Sequence, residues 1–391
     1  MLHYLHTKNV GPADELEMNL SPRLNIITGD NGLGKTFLLD IAWWVLTGTW
    51  PITGNGKGVV PDRHGALIVW DAHVGHELVR QSSKYHFPAA TWPNPEIHQP
   101  DRANSPHNAE SIVLYQRVDG GISVCDPLRA RSPTVIHAYR NGYQFMNDHD
   151  RANPPGVLQF RERDIWDGLF APDKRVPTCE GLVHDVANWA IHPGSMEFKH
   201  LSEVIAKLAA NERFRLEHKC KRVYPDDARD YLLVSGPTGT FPISHAPAGL
   251  RRILGLAYLI IWLRREHTIT AELLMRSKSP SILLIIDEVE SHLHPKWQRA
   301  ILPNLLRALA PDYQLQILAT THSPLVLASI ETTFDPDQDA WLDFDLEDRA
   351  VLHKRDYYPE GEIGNWLASD AFNLAEPRSI EAKRLLLQPR P

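Results

Sequence analysis

The sequence has few cysteines, no long apolar run and no excess of basic residues. Its 391 residues contain three cysteines and no Cys-x-x-Cys pair, which excludes a disulfide framework and favours a reducing cytoplasm. The longest apolar stretch, residues 253–263, is far shorter than the roughly 18–20 residues that span a bilayer, so we expect no membrane partner. No basic segment followed by an apolar core opens the sequence, so no secretory leader is expected. The net charge of −7 excludes nucleic-acid binding by bulk charge and leaves DNA binding open only for a local patch.

Proline and histidine, in contrast, are abundant and unevenly distributed, with 30 and 20 residues. They are concentrated in residues 51–110 and about 147–194, where we predict irregular backbone. Elsewhere the apolar spacing predicts helices and buried strands in alternation, namely helices at 200–213, 249–265 and 296–309, the last broken near Pro303, and strands at 281–286 and 313–319. This alternation predicts an α/β fold in which the proline-rich zones are insertions.

A glycine-rich segment follows the strand-like residues 26–28. It matches G-x-x-x-x-G-K-[ST] at every fixed position and leads into an apolar helix candidate, and it reads Gly29-Asp30-Asn31-Gly32-Leu33-Gly34-Lys35-Thr36. Glycines let backbone N–H groups close around phosphate oxygens, and the helix N-terminus adds positive potential. We therefore predict that residues 30–34 cradle the phosphates of ATP, that Lys35 reaches the β- and γ-phosphates, and that Thr36 ligates Mg²⁺.

Two carboxylates, Asp287 and Glu288, end the apolar strand at 281–286. Ligands bind at the carboxyl ends of strands in α/β sheets, so Asp287 is a candidate Mg²⁺ ligand and Glu288 a candidate general base for an attacking water. An acidic helix cap would give the same pattern. The next predicted strand ends before His322, a candidate donor to a γ-phosphate, with a structural histidine as the alternative.

Three phrases, GDNGLGKT, LLIIDEVESHLHPKWQRAILP and ATTHSPLVLAS, together resemble the ATP-binding-cassette (ABC) type of ATPase head. The similarity covers roughly residues 1–50 and 240–330. It is closest to stand-alone and OLD-like members related to SMC and RecF proteins, of the Septu-like or PARIS-like kind, many of which serve in bacterial anti-phage defence. The resemblance implies a P-loop NTPase fold with a mixed sheet, a single domain over residues 1–391, and a helical and irregular lobe within about 51–240.

In that family, two heads dimerise head to tail around two ATP molecules, each held between one phosphate loop and the partner's signature segment. The resemblance makes Lys35 and Thr36 nucleotide ligands, Asp287 a metal ligand, Glu288 the catalytic base and His322 the switch histidine. It also places Gly249 in the signature segment. Relatives usually have Ser-x-Gly there, whereas this chain has Pro247-Ala248-Gly249.

Proline supplies neither a hydroxyl nor an N–H group, so we expect slow hydrolysis or completion of the site by a partner protein. Ser244 lies three residues too early to be a simple substitute for the missing serine. The family's glutamine loop has three candidates, Gln81, Gln116 and Gln159. The sequence does not decide among them.

The sequence therefore predicts an ATPase that controls a separate effector protein, such as a nuclease, from a homo-oligomer. One alternative is a metal-dependent nuclease of the OLD type that uses Asp343 and Asp345, although only 69 residues follow His322, too few for an added domain. An SMC- or RecF-like DNA-repair ATPase is a second alternative, disfavoured because no heptad run is present. A binding module with structural ATP is the third. Trp92 and Trp297 are candidates for an interface.

Overall fold

A computed structural model describes most of the chain. The described residues are 1–30, 32–51, 58–61, 63–74, 77–93, 111–130, 145–147, 151–153, 156–170, 177–208, 214–277, 281–310, 313–346, 350–369 and 372. Asn31, a predicted phosphate-loop residue, and most of the tail after residue 369 lie outside them.

Strands and helices alternate through the described residues. The strands are β1 Leu2–Lys8, β2 Glu15–Asn19, β3 Leu24–Gly29, β4 Leu67–Val74, β5 Glu77–Lys84, β6 Ile112–Gln116, β7 Ile122–Cys125, β8 Phe145–Asn147, β9 Arg151–Asn153, β10 Val157–Phe160, β11 Leu169–Phe170, β12 Pro177–Cys179, β13 Arg215–Arg222, β14 Asp230–Gly236, β15 Gly239–Pro242, β16 Ser281–Ile286, β17 Gln314–Thr320, β18 Asp339–Leu346 and β19 Ala350–Arg355. The α-helices are α1 Lys35–Thr47, α2 Pro127–Ala130, α3 Glu162–Asp167, α4 Leu182–Ile191, α5 Met196–Leu208, α6 Ala248–Leu273, α7 Pro295–Gln298, α8 Ile301–Leu309, α9 Pro324–Ala328 and α10 Ile363–Ala368.

An eight-stranded mixed sheet forms the centre, in the order β10-β7-β6-β16-β17-β3-β18-β19. Its five middle strands, β6 to β18 in that order, are parallel, and antiparallel strands continue it at both edges. A second, antiparallel sheet has the order β2-β1-β4-β5. The prediction of an α/β fold of the P-loop NTPase type, with a mixed sheet, is confirmed.

The central sheet is buried on both faces, which explains the continuous apolar run of β16. All six of its residues are buried. Alternate side chains point to opposite faces of a strand, so Ile282, Leu284 and Ile286 join one hydrophobic core, with α6 and the lobe helices. Leu283 and Ile285 join the other core, which contains α1 and the N-terminal sheet. This double burial fixes β16, and with it the acidic pair that follows, in the middle of the molecule.

The predicted irregular zones contain more regular structure than the sequence suggested. Within residues 51–110, β4 and β5 form an eight-residue antiparallel pair beside β1, so the prediction was wrong there. Within residues 147–194 the prediction was wrong for α3 and α4. In both zones, proline and glycine lie at the ends of these elements, and β4 and α4 carry a regular apolar pattern between them.

The break predicted near Pro303 lies slightly earlier. Two helices replace the single predicted one, and they are separated at Arg299 and Ala300. Pro303 stands in the first turn of α8, where its missing N–H group removes no helical hydrogen bond. Trp92 and Trp297 are both buried within the chain, which contradicts their assignment to an interface. In the part of the chain that the structure describes, no helix is both long and apolar enough to cross a membrane.

Candidate functional site

The three motif segments meet at one edge of the central sheet. The strands β16, β17 and β3 are adjacent and parallel, so their carboxyl ends lie side by side. The phosphate-loop residues follow β3, the acidic pair follows β16, and the segment containing His322 follows β17. This is the edge at which open α/β sheets bind their ligands.

The glycines of the loop satisfy steric demands of its tight course. Gly29 has φ +126°, and a Cβ there would lie 2.3 Å from the Phe344 carbonyl oxygen. Gly34 has φ +103° and immediately precedes α1. At Gly32, in contrast, a Cβ would meet none of the described residues within 4 Å. The described part of the loop therefore leaves space beside Gly32.

Lys35 folds back over the loop. Its Nζ donates to the carbonyl oxygens of Gly29, at 2.7 Å, and Asp30, at 2.6 Å. Burial lowers the pKa of this ammonium group, and the nearby charges of Asp30 and Asp287 oppose that shift. A phosphate in the loop would offer the ammonium group a charged partner instead of two neutral carbonyls, so the residues present fit the phosphates of a nucleotide.

A hydroxyl and a carboxylate from distant parts of the chain converge beside Lys35. Thr36 Oγ1 donates to Asp287 Oδ2 at 2.8 Å, and Thr320 Oγ1 donates to Asp287 Oδ1 at 2.7 Å. Asp287 is 2% exposed. Mg²⁺ in nucleotide sites takes oxygen ligands from one or two side chains together with the phosphates, so Thr36 and Asp287 fit that ion. The part played by Thr320 was not identified from the sequence.

Glu288 has an unusual backbone conformation. Its φ of +46° lies in the left-handed region, which non-glycine residues rarely adopt. Its N–H donates to Thr320 Oγ1 at 2.8 Å, and its Oε2 accepts from Ser291 Oγ at 2.8 Å. The next helix, α7, begins only at Pro295 and is capped by His294, so the acidic pair is not a helix cap. The acid-cap alternative was therefore wrong, and the Glu288 carboxylate lies at the open edge of the sheet.

His322 is held by a third carboxylate that the sequence reasoning missed. Glu290 accepts the His322 N–H at 2.6 Å with one oxygen and the Thr321 hydroxyl at 2.7 Å with the other. Burial lowers the pKa of the half-buried His322 imidazole, and the Lys35 charge lowers it further. The ring nitrogens bond to none of the described residues, so a neutral imidazole is available as a donor at the site.

Gly249 lies in the first turn of α6 and packs against the turn that follows Glu288. A Cβ at this position would lie 2.9 Å from the His292 carbonyl oxygen and 3.2 Å from the Trp297 ring. Pro247 precedes the helix at the N-cap, without a side-chain cap. Close packing within this chain therefore already requires a glycine at position 249, whatever Gly249 contacts in an assembly.

The three candidate glutamines lie in different places. Gln116 ends β6, the neighbour of β16, and its carbonyl oxygen accepts the Asp287 N–H at 2.8 Å. Gln81 lies on β5 in the second sheet, opposite Trp70. Gln159 lies on the outer strand β10. Only Gln116 of the three borders the acidic pair.

The C-terminal acids of the nuclease alternative serve the central sheet instead. Asp343, on β18, is 2% exposed and accepts from Thr28 Oγ1 at 2.7 Å and from Arg355 Nη2 at 3.2 Å. The same guanidinium lies 3.9 Å from Asp345. An arginine thus stands where a metal shared by the two acids would have to be, and the described residues contain no cluster of three metal-ligating side chains.

Comparisons with known proteins place similar sequences among ATPases. A family described as "AAA domain, putative AbiEii toxin, Type IV TA system" matches residues 144–328, and a second family, described as "AAA domain", matches residues 4–81. The Septu protein PtuA of Bacillus thuringiensis is 24% identical over 96% of this chain and 85% of its own length. The Retron Ec83 probable ATPase of Escherichia coli is 31% identical over 27% of this chain, and the aligned stretch is 17% of that relative's length.

Among solved structures, an SMC head domain from Thermotoga maritima is similar over 91% of this chain and 99% of its own, at 13% identity and a TM-score of 0.40. The family and sequence matches confirm the resemblance to defence-associated ATPases, with AAA-type domains and relatives among Septu and retron proteins. The chain spans about a sixth of the length of the retron relative and most of the length of the Septu protein.

Proposed function

We propose that this protein binds ATP with Mg²⁺ at the sheet edge and hydrolyses it, and that ATP controls its action on a partner. The observation that carries this proposal is the convergence of Thr36 and Asp287, which are 251 residues apart, beside the Lys35 ammonium group. A chance glycine-rich turn would have no reason to meet a buried carboxylate from the end of another strand, two positions away in the sheet.

Each side chain has one task in the proposed reaction. The N–H groups of residues 30–34 and the Lys35 ammonium bind the phosphates, while Thr36 and Asp287 hold Mg²⁺, which when bound neutralises charge on the phosphate oxygens. Glu288 accepts a proton from the attacking water, and the neutral His322 imidazole donates a hydrogen bond toward the γ-phosphate. Gln116, beside Asp287, is the glutamine that would report the state of the site to the lobe.

The wider function is proposed from the family resemblance and the relatives. We propose that two chains associate head to tail in the cytoplasm, with Gly249 and the start of α6 facing the nucleotide of the other chain. The similarity to a Septu protein and to retron ATPases supports a role in anti-phage defence, with a separate effector such as a nuclease. The occupied C-terminal acids favour an effector on another chain over nuclease activity in this one.

ATP binding is tested by thermal unfolding with and without Mg-ATP. A ligand at a hundred times its dissociation constant stabilises the folded state by about 2.7 kcal/mol, so the wild type should melt at a higher temperature with ATP. Lys35→Ala should lose this increase. An equal increase in the variant would show that the phosphate-loop assignment is wrong.

Hydrolysis is tested by phosphate release. Glu288→Gln should bind ATP and release phosphate only at a low residual rate, whereas turnover at the wild-type rate would remove Glu288 as the base. The sizes of the wild type with ADP and of Glu288→Gln with ATP, measured by light scattering, test the dimer. The expected result is a doubling of mass with ATP only.

A binding module with structural ATP is the second candidate, and the capless start of α6 at Pro247 favours it. Pro247→Ser restores a hydroxyl at that position. Raised turnover in this variant would support a weakened ATPase, whereas ATP binding without turnover in both proteins would support the binding module.

A further inference from the structure

The Arg252 side chain joins three segments of the site through backbone carbonyl groups. Its Nη2 donates to the carbonyl oxygens of Asp287, at 2.9 Å, and Glu288, at 3.2 Å. Its Nη1 donates to those of Arg117, at 3.4 Å, and Val118, at 3.3 Å. One guanidinium, itself on the second turn of α6, thereby ties the helix to the acidic turn and to the turn that follows Gln116.

The acidic turn needs such support because it is strained. Glu288 and His292 both have left-handed backbone, at φ +46° and +61°. Non-glycine residues in this region cost about 1–3 kcal/mol and persist only where their surroundings hold them. From the sheet, Thr320 holds the Glu288 N–H. From the opposite side, Arg252 holds the Glu288 carbonyl.

A second contact connects the same helix to the same turn. The absence of a side chain at Gly249 lets the start of α6 approach the His292 carbonyl. Gly249 and Arg252 are three residues apart, so they lie on one face of the helix. The helix therefore touches both ends of the strained turn, at Glu288 and at His292.

We propose that Arg252 is the positioning residue that sets the backbone of the general base, and that it transmits the position of α6 to Glu288. This inference rests on the proposed function, in which Glu288 is the base. Arg252 has no contact with nucleotide in this role. It acts only by fixing the peptide groups on both sides of Glu288 and thus the direction of the carboxylate.

Hydrogen exchange without nucleotide tests the structural part. The N–H groups of Ser291 and Leu293 bond to carbonyls within the turn, so their exchange reports its order. Arg252→Met should speed exchange in a peptide spanning residues 287–293 and leave β17 unchanged. Arg265→Met is the matched control, because Arg265 lies on the same helix and pairs with Glu197 at 3.5 Å. Equal exchange in wild type and Arg252→Met would overturn the proposal.

Kinetics test the functional part. Misplacement of a catalytic group by about 1 Å costs roughly 100-fold, so Arg252→Met should lower turnover 10- to 100-fold and change the ATP dissociation constant less than twofold. Arg252→Lys keeps a cation with fewer donors and should recover part of the rate. In Glu288→Gln, the further change Arg252→Met should have no effect on the residual rate, since both changes disable one group.

The two proposals fail in different ways. An additive loss in the double variant, or loss of ATP binding in Arg252→Met with an intact melting transition, would overturn the role of Arg252 and leave the ATPase proposal intact. If the wild type binds no ATP, or binds ATP without hydrolysing it, the proposed hydrolysis is overturned. Arg252 would then have no general base to position, whatever the hydrogen-exchange experiment shows.

Discussion

Thr320→Val is the sharpest test of how the acidic pair is held. Valine has nearly the same shape as threonine but lacks the hydroxyl, which in this structure is fully buried and makes two hydrogen bonds. The Glu288 N–H would lose its acceptor, and Asp287 would lose one of the two hydroxyls that donate to it. An unpartnered buried donor costs about 1–3 kcal/mol, and a hydrogen bond to a charged group is worth about 1.5–3 kcal/mol.

These two losses, reduced by the gain from burying a methyl group, give an expected destabilisation of about 2–4 kcal/mol. The unfolding entropy is about 2.1 cal/mol/K per residue, so for a chain of this length the melting temperature should fall by about 2–5 °C. Differential scanning calorimetry measures this change. Phosphate release should fall more than ATP binding, because Thr36 still holds Asp287 whereas the Glu288 backbone loses its anchor to the sheet.

Thr47→Val is the matched control, since Thr47 is also buried but bonds mainly to the Trp43 carbonyl within α1. Its loss should cost about 0.5–1.5 kcal/mol, the value of an ordinary hydrogen bond, and leave ATP turnover unchanged. If both variants melt at the same temperature, or if Thr320→Val keeps full turnover, the hydroxyl does not organise the acidic pair and our reasoning is refuted.

Three further predictions concern a histidine, a glycine and the C-terminal acids. The pKa of His322 is lowered in the folded protein, so its stabilising contribution is complete above the unfolded value of about 6.5 and is lost as the pH falls. Between pH 7.5 and pH 5 the melting temperature of the wild type should therefore fall further than that of His322→Gln, and parallel curves would contradict this. Gly249→Ala should lower the melting temperature because of the 2.9 Å approach to the His292 carbonyl. Gly364→Ala should raise it slightly, because a Cβ at this helical position would meet none of the described residues within 4 Å. Asp343→Ala should destabilise the fold by about 1–3 kcal/mol, because it removes the buried carboxylate that accepts from Thr28 and Arg355, and Asp345→Ala should be nearly neutral. The wild type should cleave no DNA with Mg²⁺ or Mn²⁺, and cleavage that both changes abolish would restore the nuclease alternative.

The sequence was sufficient for the parts of the site that each depend on one short segment. The phosphate loop requires glycines at fixed spacing, and β16 must be apolar throughout because it is covered on both faces. Because each motif follows a strand, pattern reasoning then placed Asp287 and Lys35 at the same edge of the sheet. For these residues, local sequence and global fold agree, so pattern reasoning was enough.

The residues that hold the site together could not be predicted in the same way. Thr320, Glu290 and Arg252 act through hydrogen bonds to residues 31 to 36 positions away, and Arg252 also to residues 134 and 135 positions away. Nothing in their own segments indicates those partners. Threonine at a strand end and arginine on a helix are ordinary in themselves. Their roles appear only when strand order brings β17 beside β16 and packing brings α6 onto the acidic turn.

The prediction of irregular backbone in the two proline-rich zones was wrong for a related reason. Proline and glycine mark where regular structure stops. Their high density in residues 51–110 obscured the pattern of the strands that lie between them. The alternating pattern of β4 was present in the sequence, but only its pairing with β1 makes a strand of eight residues stable there.

The site therefore contains two kinds of support with different consequences. Thr36 and Asp287 stand at the ends of elements that the central sheet fixes, so the parts proposed to bind metal and phosphate depend on the core of the molecule. Glu288 stands in a strained turn that depends on α6, the helix that the proposed dimer would contact. Movement of this helix would thus change the rate of ATP hydrolysis more than the affinity for ATP. An assembly could control when ATP is hydrolysed while each chain keeps its nucleotide. Pro247, which replaces the serine that is usual in relatives, would affect the hydrolysis of ATP and not its binding.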